Sequence, residues 1–88
     1  MKIKKGFILM KVGIQNIVVA VDDMAERFNG MIRLNETGEF LWKELEKGCT
    51  EQNLVKTYAE ACEISMEEAG EEVRVFIKKL DEAGIVEE

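Results

Sequence analysis

The sequence predicts a small α+β fold in which a three-stranded antiparallel sheet is followed by three helices, in the order β-β-β-α-α-α. The period of the apolar residues changes near Leu34, from short runs rich in Ile and Val to helical spacing. Each later apolar stretch also follows a residue that can cap a helix. The chain has 88 residues, of which 47% are apolar and 34% charged. That is enough for one domain over residues 1–88 with a single core.

The first two predicted strands form a hairpin. Phe7–Val12 is apolar apart from one lysine, and residues 16–21 are a second run rich in Val. About three residues that include Gly13 join the two runs, which is a length typical of hairpin turns. Residues 22–30 are polar and end in Asn29-Gly30, so we expect a loop there.

Residues 31–34 are predicted to form a brief third strand. Side chains alternate along a strand, so Ile32 and Leu34 share one face while Met31 and Arg33 share the other. A small sheet leaves an exposed edge, and its unpaired N–H and C=O groups can accept an extended peptide as a further strand.

Three helices follow, and Asn35, Thr50 and Ser65 are their predicted N-caps. The apolar residues predicted to face inward are Leu41, Trp42 and Leu45 in the first helix, Leu54, Val55, Tyr58 and Cys62 in the second, and Met66, Ala69, Val73, Phe76, Ile77 and Leu80 in the third. Three helices packed against a small antiparallel sheet make a domain of winged-helix type.

Composition argues against catalysis. The chain has no histidine, and its one serine, Ser65, is a predicted cap. Cys49 and Cys62 are thirteen positions apart, and we expect buried structural thiols rather than a redox pair. We interpret the clustered C-terminal carboxylates as a solvent-exposed helix face. The sequence therefore predicts no enzyme activity, no metal site and no cofactor.

The charge distribution disfavours nucleic acid. The net charge is −6, and residues 35–88 hold six basic and fifteen acidic residues. Phosphates would be repelled by that half of the chain. A winged-helix DNA-binding regulator nevertheless stays open as the alternative function.

The N-terminus begins with basic residues but does not continue as a secretion signal. Its apolar run ends at Lys11 after four residues, and no small-residue cleavage site follows. No stretch approaches the roughly 20 apolar residues of a membrane span. We therefore expect a cytoplasmic protein with no membrane partner.

One motif resembles a known family. Leu34, Asn35, Thr37, Gly38 and Trp42 form the pattern Leu-Asn-x-Thr-Gly-x-x-x-Trp, which is similar to that of the PqqD family, pyrroloquinoline quinone biosynthesis protein D. The likeness covers residues 6–86, and its helical part is less specific. Further positions that fit the pattern are Leu41, Leu45, Gly48, Thr50, Leu54, Tyr58, Ala69, Val73, Phe76, Leu80 and Gly84.

The resemblance implies a peptide-recognition protein of ribosomal peptide modification. Such a protein binds the leader segment of a precursor peptide as a strand beside the third strand, against the third helix. It presents the precursor to a modifying enzyme, a radical S-adenosylmethionine (radical SAM) maturase. The identity of the precursor stays open, and so does the oligomeric state, for which we expect a monomer and keep a dimer as an alternative.

The resemblance also implies a peptide-binding site on two elements. On the strand, the site residues are Asn29, Gly30, Met31, Ile32 and Arg33, and on the helix they are Val73, Arg74, Phe76, Ile77 and Lys78. Periodicity alone gives Phe76 and Ile77 a different role, in the core. If Arg33, Arg74, Lys78 and Lys79 clustered, they would attract an acidic leader.

Overall fold

The computed structural model describes residues 1–27 and 31–87, which form two antiparallel sheets and four helices. The strands are β1 (Lys2–Ile3), β2 (Phe7–Val12), β3 (Gln15–Ala20), β4 (Ile32–Leu34) and β5 (Val86–Glu87). The helices are α1 (Met24–Arg27), α2 (Glu36–Glu46), α3 (Glu51–Cys62) and α4 (Met66–Glu82). The predicted α+β class is confirmed, because a three-stranded antiparallel sheet precedes the three longer helices.

The predicted hairpin is confirmed as β2 and β3. The two strands pair from Phe7↔Ala20 to Val12↔Gln15, so Gly13 and Ile14 alone form the turn. Gly13 has a φ of 63°, and a positive φ at the first turn residue is the type II′ geometry that glycine favours. The turn is one residue shorter than expected because the second strand begins one residue earlier.

The third predicted strand is confirmed as β4, at one edge of the sheet. The strand order is β2-β3-β4, and β4 pairs with β3 through Asn16↔Leu34, Ile17↔Arg33 and Val18↔Ile32. Met31 lies directly before the strand.

Two small features of the fold were not predicted. β1 and β5 pair antiparallel and bring the two ends of the described chain together. α1 occupies part of the predicted loop over 22–30. Strands of two residues and a helix of four are too short to show an apolar period, so pattern analysis does not detect them.

The helices pack against one face of the sheet and form the core with it. The buried residues of this core are Phe7, Val18, Leu34, Leu41, Trp42, Leu45, Leu54, Tyr58, Ala59, Ala69, Val73, Leu80 and Ile85. Two inward-facing predictions were wrong, since Cys62 is exposed and Met66 is 55% exposed. Cys62 is the last residue of α3 and Met66 is the first residue of α4. The prediction of two buried thiols therefore fails at Cys62, while Cys49 is half-buried and both are free.

The three longer helices begin at the predicted caps. The side-chain oxygens of Asn35, Thr50 and Ser65 each accept a hydrogen bond from a backbone N–H three residues on, at 2.8, 3.1 and 3.1 Å. Asn35 directly follows β4, so its cap fixes the point where the edge strand becomes α2. Within the described ranges, no helix is long and apolar enough to cross a membrane.

Candidate functional site

The direction of the backbone hydrogen bonds in β3 determines what the β4 edge exposes. The Val21 N–H donates to the Gly6 carbonyl at 2.8 Å, one pair beyond the end of the β2–β3 ladder. Hydrogen-bonded pairs alternate in an antiparallel ladder, so Ile17 and Val19 also bond towards β2. Asn16 and Val18 must then bond towards β4.

This alternation leaves one residue of β4 with its main chain pointing away from the sheet. Val18 faces Ile32 and Asn16 faces Leu34, so the N–H and C=O groups of Ile32 and Leu34 are used by β3. Arg33 lies between them, and its N–H and C=O point to the open side. β4 has no second strand partner among the described residues, so the Arg33 groups are available to an added strand.

A groove of about 860 Å³ opens beside the end of β4. It lies between the start of β3, the junction of β4 with α2, and the helices α3 and α4. Its lining residues are Ile14, Gln15, Asn16, Arg33, Leu34, Asn35, Thr37, Gly38, Leu41, Tyr58, Glu71, Glu72, Val75, Phe76 and Lys79.

The floor of the groove is apolar and belongs to the core. Leu34, Leu41 and Tyr58 line it and are 8%, 3% and 2% exposed. The ring of Phe40 packs on Tyr58 with centroids 6.2 Å apart. On the α4 side, Phe76 is half-buried and Val75 is 70% exposed. An apolar ligand side chain would therefore meet a fixed floor and cover the exposed surface of Val75.

Gly38 allows α2 to approach β4 closely at this groove. A Cβ placed on Gly38 would lie 3.2 Å from Leu34 Cβ and 3.3 Å from the Asn35 side-chain oxygen. Its N–H donates to that same oxygen. The motif glycine is thus architectural, because it lets the first turn of α2 rest on the edge strand.

A polar cluster centred on Glu39 joins the sheet to α2 at the side of the groove. Asn16 is 7% exposed and donates from Nδ2 to Glu39 Oε1 at 3.1 Å. Glu39 Oε2 lies 3.0 Å from Lys43 Nζ and 3.8 Å from Lys11 Nζ. The hydrogen bond from Lys43 is the main cause that lowers the pKa of Glu39, with the charge of Lys11 adding to it.

Tyr58 presents a neutral hydroxyl to the groove. Burial is the largest cause that raises the pKa of the phenol, and the nearby carboxylate of Glu72 raises it further. The ordinary phenol pKa is already near 10, so Tyr58 keeps its proton at physiological pH and can donate or accept a hydrogen bond.

The structure brings together only part of the site expected on the strand and helix. Arg33 lines the groove and Ile32 lies in the edge strand, with Met31 60% exposed beside it. Phe76 lines the groove from α4. Asn29 and Gly30 lie outside the described residues.

The other four expected helix residues lie elsewhere on α4. Val73 is fully buried in the core. Ile77 lines a different concavity, of about 650 Å³, together with Met1 and Val86. Arg74 and Lys78 are exposed but do not line the groove, and Arg74 Nε donates to the Gly70 carbonyl at 3.4 Å. The four cations Arg33, Arg74, Lys78 and Lys79 are therefore not gathered in one groove.

The α4 residues that line the groove differ from the expected ones by a rotation about the helix axis. Ala69, Val73 and Leu80 point to the core, and successive residues are about 100° apart. The residues on one side of these core residues line the groove, and Arg74 and Lys78 lie on the other side of the helix. That groove row is Glu71, Glu72, Val75, Phe76 and Lys79. The burial of Val73 and Leu80 was the signal that could have located this groove row.

The groove is not accompanied by a cluster of metal-binding side chains in the part of the chain that the structure describes. Within residues 1–27 and 31–87, no group of three or more His, Cys, Asp or Glu side chains is arranged to hold a metal ion. Burial raises the pKa of the Cys49 thiol, which disfavours the reactive thiolate. The chemistry that this site offers is main-chain pairing beside an apolar groove.

Comparisons with known proteins agree with this architecture. The family model described as coenzyme PQQ synthesis protein D (PqqD) matches residues 17–86. The solved structure "TbiB1 in Complex with the TbiA(beta) Leader Peptide" is 16% identical, with a TM-score of 0.81 over 99% of this chain and 95% of that chain. "Lasso peptide synthetase B1 complexed with the leader peptide" is 12% identical, with a TM-score of 0.76 over 96% and 93%. At these identities the two likenesses show the fold alone. No curated protein matches the chain.

The Glu39 cluster predicts an acid-dependent loss of stability. The folded-state pKa of Glu39 is lowered, so its contribution is present above the unfolded-state pKa and disappears as pH falls through the folded-state value. Glu39→Gln should lower the free energy of unfolding at pH 7, and the difference from the unmodified chain should shrink at pH 3. Urea titrations at both pH values measure this.

Glu36→Gln is the matched control for this substitution. Glu36 is exposed, lies in the same first turn of α2 and has no ion pair within the described residues. A deficit for Glu39→Gln that is equal at both pH values, or equal to that of Glu36→Gln, would contradict the role assigned to the cluster.

Proposed function

Because the chain belongs to the PqqD family, we propose that it captures the leader segment of a ribosomally made precursor peptide and presents that precursor to a modifying enzyme. The leader pairs with β4 as an added strand, and its side chains enter the groove between β4 and α4. The protein carries out no bond chemistry itself. The proposed ligand is thus a peptide in extended conformation.

The observation that carries this proposal is the outward-facing main chain of Arg33, which no described strand pairs with, beside an open apolar groove. Strand addition draws affinity from main-chain hydrogen bonds and selectivity from pockets for alternate side chains. β4 offers the first and the groove offers the second, on adjacent surfaces. The two solved structures with the same fold are described as leader-peptide complexes, which supports the same class of ligand here.

We propose a binding site that modifies the one expected from the family. The strand contacts fall on residues 29–33, with Arg33 as the main-chain partner. On α4 the wall is formed by Phe76 together with Glu72, Val75 and Lys79, because these side chains line the groove. Val73 contributes only indirectly, as part of the core beneath that wall.

The proposed mechanism is tethering. A leader held on this domain keeps the distant core segment of the precursor close to the active site of the modifying enzyme, which makes their encounter effectively intramolecular. We propose a radical SAM maturase as that enzyme, and the cytoplasm as the site of assembly. Tethering explains how a chain without catalytic residues can serve a reaction.

No observation favours the alternative of a DNA-binding regulator. α4 carries six acidic and three basic residues, and Glu71 and Glu72 are on its groove side. Carboxylates facing a phosphate backbone would repel it. A lack of any mobility shift with duplex DNA at low salt is the corresponding expectation.

Proline substitution in β4 tests the strand pairing. Arg33→Pro removes the outward N–H, which an edge strand tolerates, and should weaken binding of a leader peptide about tenfold, the scale of a lost main-chain hydrogen bond plus local misfit. Arg33→Ala keeps that N–H and is the matched control for the side chain. Ile32→Pro removes a bond to β3 and should lower the melting temperature instead.

Calorimetric titration with the leader of a precursor encoded beside this chain measures the affinity of both Arg33 variants. Trp42 fluorescence during thermal melts shows whether each remains folded. Equal affinities for folded Arg33→Pro and Arg33→Ala would contradict pairing at β4.

A second pair of variants tests which flank of α4 forms the wall. Val75→Gln removes exposed apolar surface from the groove and should weaken the same leader about tenfold. Arg74→Gln introduces the same residue one position away, on the opposite flank, and should leave the affinity within about twofold. If Arg74→Gln were the more damaging change, the wall would lie on the flank of Arg74 and Lys78.

A further inference from the structure

We propose that the groove is charge-polarised and selects peptides that carry a basic and an acidic side chain at a fixed spacing with an apolar side chain between them. The proposal rests on the function proposed above and specifies the class of peptide that the groove accepts. The basic side chain lies at the Glu71 and Glu72 end, and the acidic one lies at the Lys79 end.

The charges that line the α4 wall are separated along the helix. Glu71 and Glu72 precede Lys79 by eight and seven residues, and Val75 and Phe76 lie between them. At about 1.5 Å per residue, the two ends are roughly 10–12 Å apart. From the N-terminal to the C-terminal end of the wall, acidic residues are followed by apolar residues and then by a basic residue.

An extended peptide can match this wall at one spacing. Side chains on one face of a strand recur every second residue, at about 6.6 Å, so positions i and i+4 are roughly 13 Å apart. Position i+2 then lies over Val75, Phe76 and the apolar floor. The complementary pattern is basic-x-apolar-x-acidic, read from the Glu72 end.

The groove charges are available to a ligand. Within the described residues, Glu71, Glu72, Lys79 and Arg33 have no ion-pair partner within 4.0 Å, whereas Glu39 and Glu44 are paired with lysines. The carboxylate of Glu72 also lies near Tyr58 at the groove floor, where its charge adds to burial in raising the pKa of the phenol.

These charges select by order rather than by total charge. Two carboxylates and two cations line the groove, so a uniformly acidic peptide gains at Arg33 and Lys79 and loses at Glu71 and Glu72. A matched exposed charge changes affinity by roughly two- to fivefold. A peptide with two matched charges should therefore bind at least about tenfold more tightly than a peptide with the reversed charge order.

The test uses a displayed library of random 12-residue peptides, selected on the full chain. The swapped variant carries Glu72→Lys with Lys79→Glu, which leaves the net charge unchanged. The control variant carries Lys78→Glu with Glu82→Lys, an exchange on the same helix at two exposed residues that do not line the groove. Competition between two synthetic peptides with the same composition and opposite charge order then gives the preference ratio.

The expected result is enrichment of one order of basic and acidic residues around an apolar residue, the same on the unmodified chain and the control, and loss or reversal of that preference on the swapped variant. Peptides enriched for the apolar residue alone, with the same sequences on all three proteins, would overturn the polarised groove and leave strand capture intact. Failure of the folded chain to enrich any peptide, or enrichment undiminished by Arg33→Pro, would overturn the proposed function itself.

Discussion

The register of β4 against β3 determines which main-chain groups the open edge of the sheet presents. Val18 lies opposite Ile32 and Asn16 lies opposite Leu34. The N–H and C=O groups of Ile32 and Leu34 therefore hydrogen-bond to β3, and those of Arg33 point outward. A slip of one residue would reverse both assignments and would also turn Leu34 out of the core. Burial of Leu34 beneath the first turn of α2, close to Gly38, is what holds that register.

The groove follows from how the core uses α4. Val73 and Leu80 are committed to the interior, so the helix can offer only a flank to a ligand at the sheet edge. On that flank Phe76 is shared between core and groove, while Val75 remains largely exposed. The core thereby supplies the groove floor from Leu34, Leu41 and Tyr58, and the flank supplies more exposed side chains. The core and the groove are therefore lined by different rows of one helix.

Local chemistry in the sequence predicted much of this arrangement. The caps at Asn35, Thr50 and Ser65 and the edge strand at Ile32–Leu34 depend on residues within a few positions of one another, and they were located correctly. The rotation of α4 depends on packing between distant segments, so the sequence did not indicate that Val75 and Lys79 line the groove while Arg74 and Lys78 do not. The β1–β5 pair and the exposure of Cys62 and Met66 depend on where elements end, which periodicity does not report.

Residue-resolved hydrogen exchange reports which β4 amides are already hydrogen-bonded in the free chain, so it can show whether the β4 edge is open. We expect slow exchange of the Ile32 and Leu34 amides without ligand. We expect fast exchange of the Arg33 amide that becomes slow when a leader peptide is added. An Arg33 amide already protected in the free chain, or one whose exchange is unchanged in the complex, would contradict strand addition at this edge.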